Sequence, residues 1–220
     1  EADMLATRLA VKGFLLTNTE AELMRYTDAS SAFALRLERA QETIKKPERV
    51  KLVGQLSEMI ASYEQRFTQV VATIDERNAI IDSQMGPASA RATELLSQIA
   101  TAAHNDGDDN VGFIAAETNE KFQEARLSFF KYLRSGDDTL ARTAVVRANE
   151  TSEALVALAG KVKNSKRKAW LNEANDAIAF WIGRMEHAEK LQHDRNEMVK
   201  NGLDQVGPKI AQTGLDLQAS

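Results

Sequence analysis

The chain has 220 residues, of which 32 are acidic and 28 are basic, and its formal net charge is −4. It contains no cysteine, which excludes a disulfide scaffold and thiol chemistry. The slightly acidic balance does not fit a general nucleic-acid binder, which needs a basic surplus. No run of about 18 apolar residues is present to span a membrane.

The spacing of apolar residues predicts an all-α protein with six helices. Apolar side chains recur every three or four residues over long stretches, and no strand-like alternation competes with this pattern. Short polar breaks that contain capping residues, glycine or proline separate the helical stretches. In chain order, the predicted helices cover about 1–16, 20–44, 48–103, 109–134, 138–162 and 167–218.

The two halves of the sequence repeat. Arg8-Leu9 recurs as Arg126-Leu127, and Arg77-Asn78 recurs as Arg195-Asn196. The offset is constant, because 126 − 8 and 195 − 77 both equal 118. Each half reads as a short helix, a medium helix and one long returning helix, so an internal duplication is expected to give two stacked four-helix bundles in an elongated rod. Both termini would then lie at one end, which is the geometry of a domain between two membrane segments.

This topology predicts a single domain over 1–220 that contains two modules. The membrane-proximal module would comprise about 1–16, 78–134 and 195–220, and the distal module about 20–77 and 138–194. Gly86-Pro87 and Gly207-Pro208 interrupt the two long helices. Proline removes a backbone hydrogen bond and clashes with the preceding turn, so each long helix is expected to bend there.

Four arginines interrupt the apolar stripes that the predicted helices would turn toward the core. They are Arg8, Arg77, Arg126 and Arg195. Folding the first half about residue 46 would set Arg77 opposite Leu15 and Arg8 opposite Gln84, so that Arg8 and Arg77 form a pair about 10 Å apart along the bundle. The repeat would supply a second pair, Arg126 and Arg195, from the fourth and sixth helices. A buried guanidinium needs an anion nearby. The four arginines therefore indicate either a carboxylate site, or internal ion pairs and side chains that reach out to water.

A second set of candidate residues combines aromatic rings and hydroxyl groups in the distal module. The predicted fold sets Ser30 level with Tyr63 and Thr151 near Trp181. They could line a small pocket, or they could be core residues whose hydroxyl groups are satisfied. The candidates for this pocket are Tyr26, Ser30, Tyr63, Arg147, Thr151 and Trp181.

No motif for catalysis or metal binding is found. His187 and His193 are six residues apart and share a helix face poorly. The aspartates of 106–109 lack the bidentate glutamate of a calcium loop, which favours helix capping. A glycine-rich phosphate loop is also absent. We therefore expect no enzyme activity, no catalytic residue, no metal and no cofactor.

Two stretches of the sequence resemble a known family. They are Ala125-Arg126-Leu127-Ser128-Phe129 leading to Ser135-Gly136-Asp137, and Arg195-Asn196 followed by Leu203 and Gly207-Pro208. They are similar to the fourth and sixth helices of the helical bimodular sensor domains of bacterial chemoreceptors and some histidine kinases. The resemblance implies a periplasmic domain with two stacked modules, which dimerises on ligand binding and binds small carboxylates.

The resemblance also assigns roles to individual residues. In carboxylate-binding members, arginines at the positions of Arg8, Arg126 and Arg195 grip the organic acid. Such members can carry another arginine one turn before Arg8, where this chain has Leu5. Asn78 and Asn196 would add hydrogen bonds to a ligand held by the arginines.

The sequence thus favours the extracytoplasmic ligand-binding domain of a chemoreceptor. Its ligand would belong to the malate, succinate, citrate or acetate class, it would form a homodimer, and flanking membrane helices would anchor the full-length protein. The alternative is a histidine-kinase sensor domain that docks a periplasmic binding protein and has no small ligand of its own. A sealed core with ion-paired arginines and an exposed apolar patch would favour that alternative, and a structural helical spacer is a third possibility.

Overall fold

The computed structural model describes residues 2–220, and this part of the chain is helical apart from short connections. The shorter helices are α1 (Ala2–Thr17), α2 (Glu20–Thr43), α4 (Asp109–Ser135) and α5 (Asp138–Lys161). The long helix α3 runs through Pro47–Ile80, a π-helical turn at Ile81–Met85, and Gly86–Asn105. The long helix α6 runs through Ser165–Met198, a π-helical turn at Val199–Leu203, and Asp204–Ala219. The prediction of six helices is confirmed, and their ends lie within two residues of the predicted ones.

The repeat of 118 residues is visible in the backbone. Helix α1 ends at Thr17 and α4 ends at Ser135, while the two π-helical turns begin at Ile81 and Val199, so 135 − 17 and 199 − 81 both equal 118. The residue that follows each short helix also matches, because Asn18 (φ 53°) and Gly136 (φ 71°) both adopt the left-handed conformation. Glycine takes this conformation without a Cβ penalty and asparagine tolerates it. The internal duplication therefore extends to the turns.

A π-helical turn precedes each Gly-Pro pair, since Ile81–Met85 ends directly before Gly86 and Val199–Leu203 ends four residues before Gly207. The Gly86 N–H donates to the carbonyl of Ile81, and the Asp204 N–H donates to the carbonyl of Val199, so each bond spans five residues. Proline cannot donate a backbone hydrogen bond, and its ring clashes with the carbonyl four residues earlier. A widened turn is one of the few ways in which a long helix absorbs such a break.

The chain divides into two compact units. Unit 1 comprises Glu1–Thr73 and Asp194–Ser220, and unit 2 comprises Ile74–His193. This grouping keeps α1 with α2 and α4 with α5, whereas the predicted modules separated both pairs. Each pair is a helical hairpin. Asp3 near the start of α1 pairs with Arg36 in the second half of α2 at 2.9 Å, and in the second hairpin Glu124 of α4 pairs with Arg147 of α5 at 2.9 Å.

Each unit has its own apolar core. In unit 1, the ring of Phe14 on α1 meets Phe67 on α3 edge to face, with 5.6 Å between the ring centroids. In unit 2, Trp181 is fully buried and packs edge to face against Phe122 and Phe129 of α4, at 5.3 and 6.1 Å. These contacts place aromatic rings at the centre of both helical groups.

The two medium helices pack unequally although they are repeat mates. Helix α2 has no fully buried residue. Its inward-facing side chains are only half-buried, namely Tyr26, Ser30, Phe33, Leu37 and Ala40. The residues 118 positions later on α5 are all buried, namely Ala144, Ala148, Thr151, Leu155 and Leu158. Unit 1 therefore holds its medium helix more loosely than unit 2 does.

Candidate ligand-binding arginines

Arg195 on α6 links to the end of α1 within unit 1. Its Nη2 donates to the main-chain carbonyl of Leu15 at 3.0 Å, and its Nη1 donates to Asn196 Oδ1 at 3.0 Å. Leu15 lies in the last turn of α1, where helix carbonyls lack partners within their own helix. The Arg195 guanidinium therefore caps α1, as cationic side chains near helix C-termini often do.

The Arg195 side chain is half-buried, and the partners that hold it are neutral. Its Nε is buried and makes no hydrogen bond within the described part of the chain. Burial lowers the pKa of Arg195. Removal from water disfavours the charged form, and neither the Leu15 carbonyl nor the Asn196 amide carries a negative charge to offset that cost.

Arg126 on α4 occupies a comparable environment in unit 2. Its Nη1 donates to Gln123 Oε1 at 2.6 Å, and its guanidinium carbon lies 5.9 Å from the centre of the Phe122 ring. Gln123 is itself oriented, because its Nε2 donates to Thr93 Oγ1 on α3 at 2.7 Å. Burial lowers the pKa of Arg126, and its Nε is another buried N–H donor without a hydrogen-bond partner among residues 2–220.

The indole of Trp181, which also contacts Phe122, adds an unused donor. Its ring contacts Phe122, and its Nε1 is buried and has no hydrogen-bond partner within residues 2–220. A buried N–H group without a partner costs free energy that an acceptor would recover. The surroundings of Phe122 thus contain two buried donors, Arg126 Nε and Trp181 Nε1.

Arg77 on α3 repeats the arrangement of Arg195. Its Nη2 donates to Asn78 Oδ1 at 2.7 Å, matching the contact between Arg195 and Asn196, and its Nη1 donates to the buried Gln192 on α6. Both asparagines use their side-chain oxygen to orient the neighbouring arginine. That role differs from the predicted one, in which Asn78 and Asn196 add hydrogen bonds to a ligand.

Arg8 on α1 lies against Gly207 and Tyr63 in unit 1. A β-carbon at position 207 would lie 3.0 Å from Arg8 Nε, so the glycine makes room for the guanidinium. Burial raises the pKa of Tyr63 to about 12, while Arg8 lowers it and Asp204 raises it. The prediction that Arg8 lies opposite Gln84 is wrong. Because α2 folds back along α1, helix α3 starts beside the start of α1 and brings Tyr63 to the level of Arg8.

The structure divides the four arginines differently from the predicted pairs. Arg8 and Arg195 belong to unit 1, and Arg77 and Arg126 belong to unit 2. The predicted pairs joined Arg8 to Arg77 and Arg126 to Arg195. Position 5, where the family can carry one more arginine, faces outward here, since Leu5 is 55% exposed.

The residues predicted for a second pocket are divided between the two units. Tyr26, Ser30 and Tyr63 belong to unit 1, whereas Arg147, Thr151 and Trp181 belong to unit 2. The hydroxyl of Ser30 donates to the carbonyl of Thr27 at 3.2 Å, and that of Thr151 donates to the carbonyl of Arg147 at 2.7 Å. Arg147 also pairs with Glu124 and Glu150. This arrangement favours the alternative of core residues with satisfied hydroxyl groups.

Several polar residues around the arginines were missed from the sequence. Gln123 stands three residues before Arg126, the arginine that it contacts, which is a usable signal because side chains three apart meet on a helix. Gln192 contacts Arg77 on the other long helix, and no local spacing indicates that contact. The Leu15 carbonyl gives no sequence signal. Arg167 was also missed; it is only 6% exposed and pairs with Asp106 and Asp108 at 3.4 and 3.1 Å.

The chain matches no model of a known protein family and no curated protein. Within residues 2–220, no three acidic or histidine side chains are placed to hold a metal ion. No helix in that range has a stretch apolar and long enough to cross a membrane. The geometry does offer two half-buried cations held by neutral oxygen atoms, Arg126 and Arg195.

Proposed function

We propose that this chain is the extracytoplasmic ligand-binding domain of a bacterial chemoreceptor and that it binds small carboxylates. One observation carries the proposal. Arg126 and Arg195 are half-buried, their hydrogen bonds go to neutral oxygen atoms, and each retains a buried Nε donor without a partner. A guanidinium presents paired N–H donors that match the two oxygens of a carboxylate.

The energetics favour an added anion at either arginine. Burying a charge that has no counter-charge costs free energy, and hydrogen bonds to amide and carbonyl oxygens offset only part of it. The lowered pKa values of Arg126 and Arg195 report this cost. A carboxylate placed against either group would supply the missing charge and accept the unused Nε–H.

The contact between Arg195 and Leu15 supplies a mechanism for signalling. A carboxylate bound to Arg195 competes with the Leu15 carbonyl for the same guanidinium, so ligand binding changes how the end of α1 is held by α6. The ligand shifts the population toward whichever arrangement binds it more tightly. Asp3 and Gln218 line one cavity, so both ends of the described chain lie close together in unit 1. That geometry supports a periplasmic domain carried by flanking membrane helices.

The test is calorimetric titration of the protein with malate, succinate, citrate and acetate. We expect saturable binding of at least one acid, weakened at least about tenfold in Arg195→Gln or Arg126→Gln because a charge-assisted hydrogen bond is lost. Arg25→Gln is the matched control, since its side chain is 71% exposed and pairs with Glu22. Absence of binding across the four acids, or equal weakening in the control, would contradict the proposal. The variant that loses affinity identifies the unit that holds the ligand.

The second candidate is a histidine-kinase sensor domain that docks a periplasmic binding protein. The observation in its favour is an exposed apolar stripe on α1, formed by Leu5, Leu9 and Leu16. The neutral partners of Arg126 and Arg195 weigh against it, because a domain without a small ligand has no use for uncompensated buried cations. Carboxylate binding that depends on Arg126 or Arg195 would favour the chemoreceptor domain over the histidine-kinase sensor domain.

A further inference from the structure

A small cavity lies between the four helical segments of unit 1, near both ends of the described chain. Its volume is about 190 Å³. Apolar side chains form most of its wall, and small residues on α2 and α6 leave the space open. The residues that line it include Met4, Phe33, Leu37, Ala40, Ile210 and Gly214.

The internal repeat explains why the cavity exists in this unit. Ala40 lines it, whereas the repeat position on α5 is Leu158, because 158 − 40 equals 118. Leu158 is fully buried and Ala40 is only half-buried. Ala40 also lines a second cavity of about 220 Å³ with Ile44 and Val53. The shorter side chain thus leaves space beneath α2 at a place where unit 2 has a filled core position.

One ion pair sets the charge at the cavity wall. Asp3 Oδ2 forms an ion pair with Arg36 Nη1 at 2.9 Å, and both residues line the cavity. The two partners differ in exposure, since the Asp3 side chain is 16% exposed and the Arg36 side chain is 67% exposed. Asp3 is therefore the fixed charge of the site, and Arg36 is a flexible partner that can move into water at little cost.

This asymmetry decides which ligand charge the cavity accepts. A cation bound at Asp3 would replace the guanidinium of Arg36, which would then be hydrated by solvent. A carboxylate bound at Arg36 would instead leave the largely buried Asp3 without its partner, which is costly. Apolar cavities of about 150 Å³ accept benzene, so a cavity of about 190 Å³ can hold one aromatic ring or a short branched chain.

The geometry points to a binding site in unit 1 for a small amine that carries a compact apolar body, with the ammonium on Asp3 and the body beneath α2. This site is separate from the proposed carboxylate function, since none of its lining residues is one of the four arginines. A ligand here would pack against Phe33 and Leu37 and would tighten the loosely held α2. It would thereby stabilise unit 1 in the region where its two chain ends meet.

The experiment is calorimetric titration of the protein with benzylamine, beside benzoate and benzyl alcohol as anionic and neutral probes of similar shape. We expect saturable binding of benzylamine that is at least about tenfold tighter than that of either other probe, because only the cation pairs with Asp3. Asp3→Asn should weaken it at least about tenfold. Ala40→Leu should abolish binding by filling the cavity with the side chain that the repeat position uses. Glu42→Gln, which removes one exposed charge from α2, is the control and should bind as the unsubstituted protein does.

The outcomes separate cleanly. Absence of saturable benzylamine binding would overturn the inference, as would equal binding of benzoate or benzyl alcohol, or full binding in Ala40→Leu with helical content retained. If Ala40→Leu does not fold, Asp3→Asn alone decides, because its substitution is close to isosteric. Malate titration of the same variants distinguishes the two sites, since a fault in the carboxylate proposal leaves benzylamine binding unaffected.

Discussion

At the scale of single residues, the fate of a buried arginine depends on what neutralises it. Arg167 is more buried than Arg126 or Arg195, yet two aspartates pair with it. At position 167 the arginine therefore has a structural role, because acids of the chain itself neutralise its charge, although its buried Nε makes no hydrogen bond within residues 2–220. Where an arginine is held only by amide and carbonyl oxygens, as Arg195 is, an external anion can bind and neutralise the guanidinium.

Substitution of Arg167 tests the structural half of this contrast. Arg167→Ala should lower the free energy of unfolding by about 1–3 kcal/mol, because packing of the buried stem and two ion pairs are lost. The loss stays below that of a fully buried pair, since Asp106 and Asp108 are partly exposed and remain hydrated. Urea denaturation measures the change, and Arg25→Ala, which removes an exposed pair, should stay within about 0.5 kcal/mol. An equal effect of the two substitutions would show that the Arg167 pairs add nothing.

The buried phenol of Tyr63 makes the free energy of unfolding depend on pH in the alkaline range. Burial raises its pKa from 10.0 to about 12 in the folded protein, so the folded state keeps a proton that the unfolded state releases. The stabilisation is fully present below pH 10 and is lost as pH rises toward 12. The free energy of unfolding should therefore fall between about pH 9 and about pH 11.5 by about 2 kcal/mol more in the unsubstituted protein than in Tyr63→Phe.

Comparing the unsubstituted protein with Tyr63→Phe isolates the effect of Tyr63. Burial also raises the pKa values of Tyr26 and Tyr132, but these two residues are present in both proteins and their contributions cancel. Urea denaturation at the two pH values gives the difference. Parallel pH profiles for the two proteins would show that the phenol of Tyr63 titrates normally in the fold.

At the scale of helices, the repeat lets each element serve as a control for its mate. Leu37 on α2 and Leu155 on α5 occupy equivalent positions, but Leu37 is half-buried and Leu155 is 3% exposed. Leu155→Ala should cost about 2–4 kcal/mol, within the range for a buried leucine, and Leu37→Ala only about 1–2 kcal/mol. Denaturant unfolding of both variants measures this. Equal costs would mean that α2 packs as firmly as α5 despite its exposure.

The helices and the repeat could be predicted because both depend on local sequence. Apolar spacing and the breaks at Asn18 and Gly136 fix where each helix begins and ends. The direction of the chain after those breaks could not be predicted. A two-residue connection can continue a helix axis or reverse it, and the left-handed φ at Asn18 and Gly136 decides for reversal only once the helices pack.

The neighbours of the candidate-site residues were the hardest feature to predict, because they depend on the direction of the chain after those breaks. The spacing predicted core-facing arginines at positions 126 and 195, where the structure has half-buried ones, but their neighbours depend on which helices pair. With α1 and α2 folded as a hairpin, Leu15 meets Arg195 and Tyr63 meets Arg8. The partners that orient the guanidinium groups are amides and carbonyls, and such contacts leave only a weak trace in sequence.

At the scale of the whole molecule, duplication has produced two equivalent helical hairpins, α1–α2 in unit 1 and α4–α5 in unit 2, which pack differently. Unit 2 has the larger aromatic core around Trp181, and unit 1 has a loosely packed α2 and a small cavity. Unit 1 also contains both ends of the described chain. Regions of low packing density move at least cost, so unit 1 is the part of the proposed sensor domain that we expect to change on ligand binding.

The exposed stripe on α1 leads to a prediction about assembly. Leu9 is 59% exposed and lies on one side of α1 with Leu5 and Leu16, whose exposures are 55% and 87%. If the proposed homodimer forms through this stripe, a lysine at position 9 places like charges against each other and against apolar surface. Leu9→Lys should then shift the dimer toward monomer, raising the dissociation constant at least about tenfold, as measured by sedimentation equilibrium.

Leu127→Lys is the matched control, because Leu127 is the repeat mate of Leu9, is 55% exposed and belongs to unit 2. A monomer at all concentrations, or equal dissociation in both variants, would remove α1 as the dimer contact and leave its leucines as a surface for another protein.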